Sequence, residues 1–288
     1  MIRKAVIPAA GFGTRVLPMT KAVPKEMLPI VDKPSIQYII EECVKSGITD
    51  ILVITSRNKD AIENHFDRSP ELEKALEKPG KEDLLQQVKG ISELANIYYL
   101  RQKEAKGLGH AILCAQEFTQ DEPFLVLYPD DVIFGEKPVA LQLIETYNEF
   151  GKSCVGIKDV APNMISKYSS LKISNIKDNI YTVTDMIEKP KKGEEFSLYS
   201  ILGRCLLTKE IYPILQTLKP GAGGEIQLTD AMAVIARNGD MLGVDFLGKR
   251  YDMGNKLGVL MANVEQGVKH SEIGEEFKAY IKEFAKTL

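Results

Sequence analysis

The residues best suited to chemistry crowd the first thirty positions. A Gly-rich turn, AAGFGTR (9–15), follows the apolar run KAVIP (4–8), and Arg15, Lys21 and Lys25 fall within eleven positions. Glycines let backbone N–H groups approach a ligand closely, and oriented amides beside cations stabilise anionic oxygens, so this stretch suits a polyphosphate. Pro18, Pro24 and Pro29 restrict the loop, which disfavours a floppy solvated turn. Neither common nucleotide motif is present. Val16 stands where the dinucleotide fingerprint needs a third glycine or alanine, and no G-x-x-x-x-G-K-[ST] occurs. Further along, Asp130 and Asp131 follow the strongly apolar FLVLY (124–128), where a carboxylate can hold Mg2+ with phosphates and water filling the remaining positions. Paired aspartates at a strand end also serve as turn formers, and Asp252, before Met253-Gly254, allows the same two readings. None of His65, His110 and His270 stands out as a general base.

Strand-like and helix-like stretches alternate around these residues. KAVIP (4–8), DILVIT (50–55), NIYYL (96–100), FLVLY (124–128) and SCVGI (153–157) are β-branched or apolar runs of strand length. Between the first two, Ile36, Ile39, Ile40, Cys43 and Val44 share one helical face, and Gly47 sits where a helix ends in a left-handed residue. Further helices are expected over 109–118 and 138–150. The pattern predicts an α/β fold in which a mainly parallel, doubly wound sheet carries helices on both faces. In such sheets ligands bind beyond the carboxyl ends of the strands, so the loops after 8, 100 and 128 are the candidates. SLKIS (170–174) and IYTVTDMI (180–187) predict an antiparallel extension, followed by helices over 208–218 and 228–239, with Thr229 a candidate cap for the second. A final helix over 273–286 carries Ile273, Phe277, Tyr280, Ile281 and Phe284 on one face, to pack on its own core or on another subunit. The charged stretch 66–95 reads as a helical insertion or lid.

Composition narrows the class. Of 288 residues, 44% are apolar and 27% charged, so one large domain or two small ones can each bury a core. The net charge of −3, without a basic tail or block, argues against a general nucleic-acid or membrane-surface binder. Residues 1–33 carry +4, which leaves −7 for the remainder. Cys43, Cys114, Cys154 and Cys205 lie far apart with no metal spacing, as reduced thiols would. With no signal peptide or membrane-length apolar run, a cytoplasmic location is expected.

The stretch G-x-G-T-R-x-x-P-x-T-K-x-x-P-K-E-M-L-P, from Gly11 to Pro29, resembles the signature of sugar-1-phosphate nucleotidylyltransferases, spelled as in the bacterial UTP–glucose-1-phosphate uridylyltransferases. RQKEAKGLGHAIL (101–113), YPDDVIF (128–134), IEKP (187–190), LGRCLLT (202–208) and GKRYDMGNKLG (248–258) extend the resemblance over nearly the whole chain. It implies a Rossmann-like sheet of the nucleotide-diphospho-sugar transferase type in a single domain. Its nucleotide-binding half would span about 1–135, its sugar-phosphate half about 136–260, and a C-terminal helical segment 261–288. The implied reaction joins UTP and glucose 1-phosphate into UDP-glucose and pyrophosphate with Mg2+, with the same chemistry on dTTP or another hexose 1-phosphate, or a weak regulatory paralogue, as alternatives. Residue by residue, the resemblance assigns Arg15, Lys25 and Lys189 to catalysis, and Ala9, Ala10, Gly11, Gly13, Gln102 and Gly107 to the nucleotide. It assigns Glu188, Lys189 and Gly203 to the sugar, and Asp131 and Asp252 to the metal. It also implies a homodimer or homotetramer. The chain departs from the family pattern at Ser169, where relatives carry glycine after the tyrosine, and at 197–200.

Overall fold

The structure is a computed structural model that describes residues 1–288, with Ala222 described in its backbone only. Among the described residues, thirteen strands and eleven α-helices follow one another. The first half runs β1 (Lys4–Pro8), β2 (Pro29–Ile30), β3 (Lys33–Pro34), α1 (Ser35–Lys45), β4 (Asp50–Thr55), α2 (Asp60–Phe66), α3 (Pro70–Leu76), α4 (Glu82–Ser92), β5 (Asn96–Arg101), α5 (Leu108–Leu113), α6 (Gln116–Thr119), β6 (Phe124–Leu127) and β7 (Asp131–Phe134). The second runs α7 (Val139–Phe150), β8 (Ser153–Asp159), β9 (Ser169–Lys177), β10 (Ile180–Glu188), β11 (Tyr199–Leu207), α8 (Ile211–Thr217), α9 (Leu228–Arg237), β12 (Met241–Asp245), β13 (Lys249–Asp252), α10 (Lys256–Gly267) and α11 (Gly274–Phe284).

One nine-stranded sheet has the order β5-β4-β1-β6-β11-β8-β12-β10-β9. Strands β11 and β10 run against the others, so the sheet is mixed and mainly parallel, as the alternating pattern predicts. Successive side chains of a strand point to opposite faces. Accordingly Ala5 and Ile7 of β1 enter one core with Ile36, Ile39 and Ile40 of α1, while Val6 enters a second core with Ile112 of α5 and Met232 of α9. Strand β10 pairs with β12 only from Ile180 to Thr182, and Leu171, Val183 and Met186 of the β9–β10 hairpin cover the second core beside Ile201.

Several expectations change. The helix over 109–118 is two short helices, α5 and α6, and FLVLY ends as a strand at Leu127, with Asp131 opening the short strand β7. Segment 66–95 is the helical crossover from β4 to the edge strand β5, and it packs Ile91, Leu94 and Ala95 on the first core. Thr229 is not a cap: Gln227 holds that position, and the Thr229 hydroxyl donates to Glu188 Oε2 at 2.8 Å. The apolar face of α11 is largely uncovered, with Tyr280 62% and Phe284 49% exposed, while Phe277 packs against Gly267. Among the described residues no helix is long and apolar enough to cross a membrane.

A charged pair lies at the heart of the sheet. Arg204 of β11 is 0% exposed and forks onto Glu42 of α1, with Nε 2.9 Å from Oε1. Its Nη1 donates to the carbonyls of Asp131 and Gly203, and Glu42 also accepts from Ala140 N. Removing one partner of such a pair leaves an uncompensated buried charge, which costs about 3–5 kcal/mol. Arg204→Met is therefore expected to lower the urea midpoint strongly, and Glu42→Leu added to it to recover part of the loss. A single variant as stable as the parent would contradict this placement.

Candidate functional site

The loop after β1 is shaped by its glycine and its ion pairs. Gly13 has φ +68°, and a Cβ there would lie 3.1 Å from Lys25 Cβ and 3.2 Å from Thr20 Cγ2, so the turn needs glycine to close against the lysine. Thr20 Oγ1 donates to Gly13 O at 2.7 Å. Lys25 Nζ then reaches Asp130 Oδ2 at 2.7 Å, with Arg15 Nη2 3.5 Å from the same oxygen. Burial works against the charge on Lys25, but Asp130 and Glu26 outweigh it and hold the ammonium above the usual lysine pKa. Burial likewise opposes the charge on Asp130, and Lys25 and Arg15 hold its pKa low. Behind them Glu26, fully buried, accepts from Lys59 Nζ at 2.7 Å.

Two clefts lie near these cations. The first, about 630 Å³, is lined by Ala10, Phe12, Lys21, Lys59 and Gln102 among others. Gly107, at φ +96°, brings its carbonyl to Gln102, and a Cβ there would meet Glu225 Cβ at 2.7 Å and Ile226 O at 2.8 Å. Ala9 is fully buried and its N–H donates to Ile54 O, so the expected nucleotide role of its backbone reduces to the carbonyl. Gly11 is exposed at the mouth of the loop.

The second cleft, about 590 Å³, gathers Arg15, Asp130, Asp131, Glu188, Lys189 and Asp252. Asp131 and Asp252 face each other in register on the antiparallel pair β7–β13. Arg250 lies between them, bonded to Asp131 Oδ1 and 3.9 Å from Asp252 Oδ2. Burial pushes the Asp131 carboxyl up to about 6, with Asp130 and Asp252 adding to the shift and Arg250 opposing it. The turn reading of Asp252 holds, since Oδ1 accepts from Gly254 N at 2.8 Å, while Oδ2 accepts from Tyr168 Oη at 3.2 Å and the side chain lines the cleft. Gly203, at φ +79°, leaves room beside Asp131, since a Cβ there would lie 3.1 Å from the aspartate's own. Among the described residues no cluster of three or more metal-ligating side chains occurs. Two facing carboxylates at a cleft mouth fit Mg2+, which binds through one or two carboxylates plus phosphates and water rather than in an all-protein cage.

In the same cleft, burial raises the pKa of Glu188, which accepts from Thr229 and has Lys189 Nζ 4.0 Å from its other oxygen. Lys189 holds a left-handed backbone, φ +48°, a conformation that costs a non-glycine residue about 1 kcal/mol or more and recurs at functional sites. The two departures from the family pattern touch each other. Ser169 Oγ accepts from Ile201 N at 3.0 Å and lies 3.2 Å from Ser200 Oγ, and Ser170 Oγ accepts from Phe196 N and Ser197 N. These serines tie β9 to the entry of β11, and the Ser169 hydroxyl is engaged with that strand. Gln102 thus lines the first cleft and Asp131, Asp252, Glu188 and Lys189 the second, while Gly107, Lys25 and Gly203 adjoin them through Gln102, Asp130 and Asp131 respectively. Sequence reasoning gave no role to Arg204, Glu42, Arg250, Glu26 or Lys59. The signal for Arg204 was a lone charge inside an apolar strand, ILGRCLL; the others carried none.

Comparison with known proteins identifies the class to which this sheet and its clefts belong. The chain matches the nucleotidyl transferase family model over residues 4–267, and it belongs to that family. It is 49% identical over 285 residues to a UTP–glucose-1-phosphate uridylyltransferase of Bacillus subtilis (strain 168), covering 99% of this chain and 96% of that one. A second such enzyme, from Staphylococcus saprophyticus, is 49% identical over 281 residues, with 98% and 97% covered. Among solved structures, a UDP-glucose pyrophosphorylase complexed with UDP-glucose superimposes with a TM-score of 0.87 at 39% identity, covering 94% of this chain and all of that one. The UTP-bound enzyme of Acinetobacter baumannii gives 0.90 at 36% identity, with 98% and 99% covered.

Proposed function

We propose that the chain transfers a uridylyl group from UTP to α-D-glucose 1-phosphate, forming UDP-glucose and releasing pyrophosphate. The observation that carries this reading is the near-full-length identity of 49% to enzymes of that activity. The site chemistry agrees with it. A phosphomonoester has its second pKa near about 6, so the sugar phosphate is already largely an anionic nucleophile at neutral pH and needs no base. What the protein supplies is alignment of two anions that repel each other and neutralisation of the charge that develops.

Gln102 and Gly107, with Ala10, Gly11 and Gly13, take the nucleotide in the first cleft. Lys25 and Arg15 take the triphosphate, and Asp130 holds both cations in place before substrate arrives. Glu188 accepts hydrogen bonds from sugar hydroxyls beside Gly203, and Lys189 contacts the sugar phosphate. Asp131 and Asp252 would hold Mg2+, which supplies charge neutralisation at the reacting phosphate. Chain halves of about 1–135 and 136–260 would then serve nucleotide and sugar phosphate respectively. The uncovered apolar residues of α10 and α11, among them Leu257, Leu260 and Tyr280, suit a homodimer or homotetramer. The cytoplasm, where such a nucleotide pool lies, is the proposed location.

UTP labelled at the α-phosphate tests the reading. With glucose 1-phosphate and Mg2+, the label is expected in UDP-glucose and not in pyrophosphate, with lower kcat/KM for dTTP and for other hexose 1-phosphates. Well-folded protein that leaves the label in UTP would overturn the proposal.

A further inference from the structure

A glutamine amide offers one acceptor and two N–H donors, and which end faces a ligand depends on what holds the other end. In the first cleft, Gln102 Nε2 lies 3.1 Å from Gly107 O and 2.8 Å from His110 Nδ1. A carbonyl can only accept, so Gly107 O fixes the nitrogen end of the amide on its side. The same nitrogen then donates its second hydrogen to His110, whose Nδ1 must be unprotonated and whose ring hydrogen sits on Nε2. Both donors of Gln102 are thereby spent. The group left for a ligand is Oε1, an acceptor, on a side chain that is 8% exposed and lines the cleft.

We propose that His110 is a positioning residue: as a neutral ring protonated at Nε2, it locks the Gln102 amide so that the cleft offers an acceptor to the nucleotide base. An acceptor there selects a base whose ring nitrogen carries hydrogen, as uracil N3 does, and rejects cytosine, whose N3 is itself an acceptor. The inference rests on the proposed UTP reading and gives it a source of base discrimination. Burial holds the His110 pKa below the usual histidine value, with Lys106 adding and Glu104 opposing, which keeps the ring neutral. Gly107 is indispensable to the arrangement, since Glu225 and Ile226 leave no space for a side chain there.

The test compares His110→Leu, which removes the acceptor, with His110→Asn, whose Oδ1 can stand close to the Nδ1 position. In His110→Leu the ratio of kcat/KM for UTP to that for CTP is expected to fall about ten-fold or more, through the nucleotide KM, while the glucose 1-phosphate KM stays within about two-fold. His110→Asn should recover most of the ratio. An unchanged ratio, or a loss spread equally over kcat and both KM values, would overturn the inference. Should His110→Leu not fold, 15N-histidine NMR of the unsubstituted protein, assigned with His110→Asn, still decides: Nδ1 unprotonated at neutral pH supports it, and Nδ1–H or a charged ring contradicts it. Parent protein inert toward UTP would instead count against the uridylyltransferase reading, and the histidine spectrum would judge the tautomer on its own.

Discussion

Asp131→Ala is expected to lower turnover by about 10³-fold or more while the protein remains folded. The carboxylate is buried, stands opposite Asp252 across β7–β13 and abuts Gly203, while its own backbone carbonyl is held by Arg204. Its loss removes one of two ligands proposed for Mg2+ and leaves Arg250 with Asp252 as its remaining acidic neighbour at 3.9 Å. Burial opposes the charge on Asp131, so the substitution relieves a desolvation cost, but it also takes from the largely buried Arg250 its hydrogen-bonded carboxylate, and the thermal midpoint is expected to fall. Asp131→Asn separates charge from shape: it keeps the volume and should be nearly as inactive. UTP binding in the absence of metal, which the proposal assigns to Gln102 and the loop after β1, is expected to survive in both variants. Retention of more than a tenth of the parent turnover would exclude Asp131 from the metal site.

Lys25→Met is expected to reduce kcat by about 10²–10³-fold with a much smaller change in the UTP KM. The reason is where the charge goes. On the proposed reading, Arg15 and bound Mg2+ would neutralise the triphosphate in the ground state, whereas bond cleavage shifts negative charge onto the leaving pyrophosphate, where Lys25, held in place by Asp130, would act. Arginine restores the charge but not the compact ammonium that fits 2.7 Å from Asp130, so Lys25→Arg should recover only part of the rate. Steady-state kinetics on the three proteins checks this. A raised KM with kcat intact would mean that Lys25 contributes uniform binding and nothing specific to the transition state.

How much of this the sequence carries differs from element to element. Strands β1 and β4 lie within the boundaries expected for them, because a buried parallel strand is a continuous apolar run with polar or turn residues at its ends. Helix α1 likewise follows from its periodic apolar face, and Gly47 is left-handed at φ +84° as its position after the helix suggests. The break between α5 and α6 had no such mark, since neither glycine nor proline occurs near Cys114 and Ala115. Thr229 looked like a cap because local spacing cannot reveal Glu188, which reaches it from 41 residues away. The candidate site residues are legible through a motif that spells them. Their supports were not: Arg204 finds Glu42 across 162 residues, and Arg250 meets Asp131 across 119, distances at which only the folded register shows a partner. The serines at 169 and 200 appeared as two separate departures and prove to be one contact.

The uneven charge along the chain gains meaning from the same register. The +4 of the first 33 residues includes Arg15 and Lys25, which converge on Asp130, while the acidic remainder supplies Asp130, Asp131 and Asp252 to the same cleft. A weakly acidic chain can thus hold a polyphosphate at one loop and place carboxylates for a divalent cation beside it.

The most direct test of the account is pyrophosphate release by the purified chain given UTP, glucose 1-phosphate and Mg2+, with UDP-glucose quantified in the same sample. Equimolar pyrophosphate and UDP-glucose are expected, with loss of both when Mg2+ is chelated and near-loss of both in Asp131→Ala. Folded protein that releases no pyrophosphate, or that releases it equally well without metal, would contradict it.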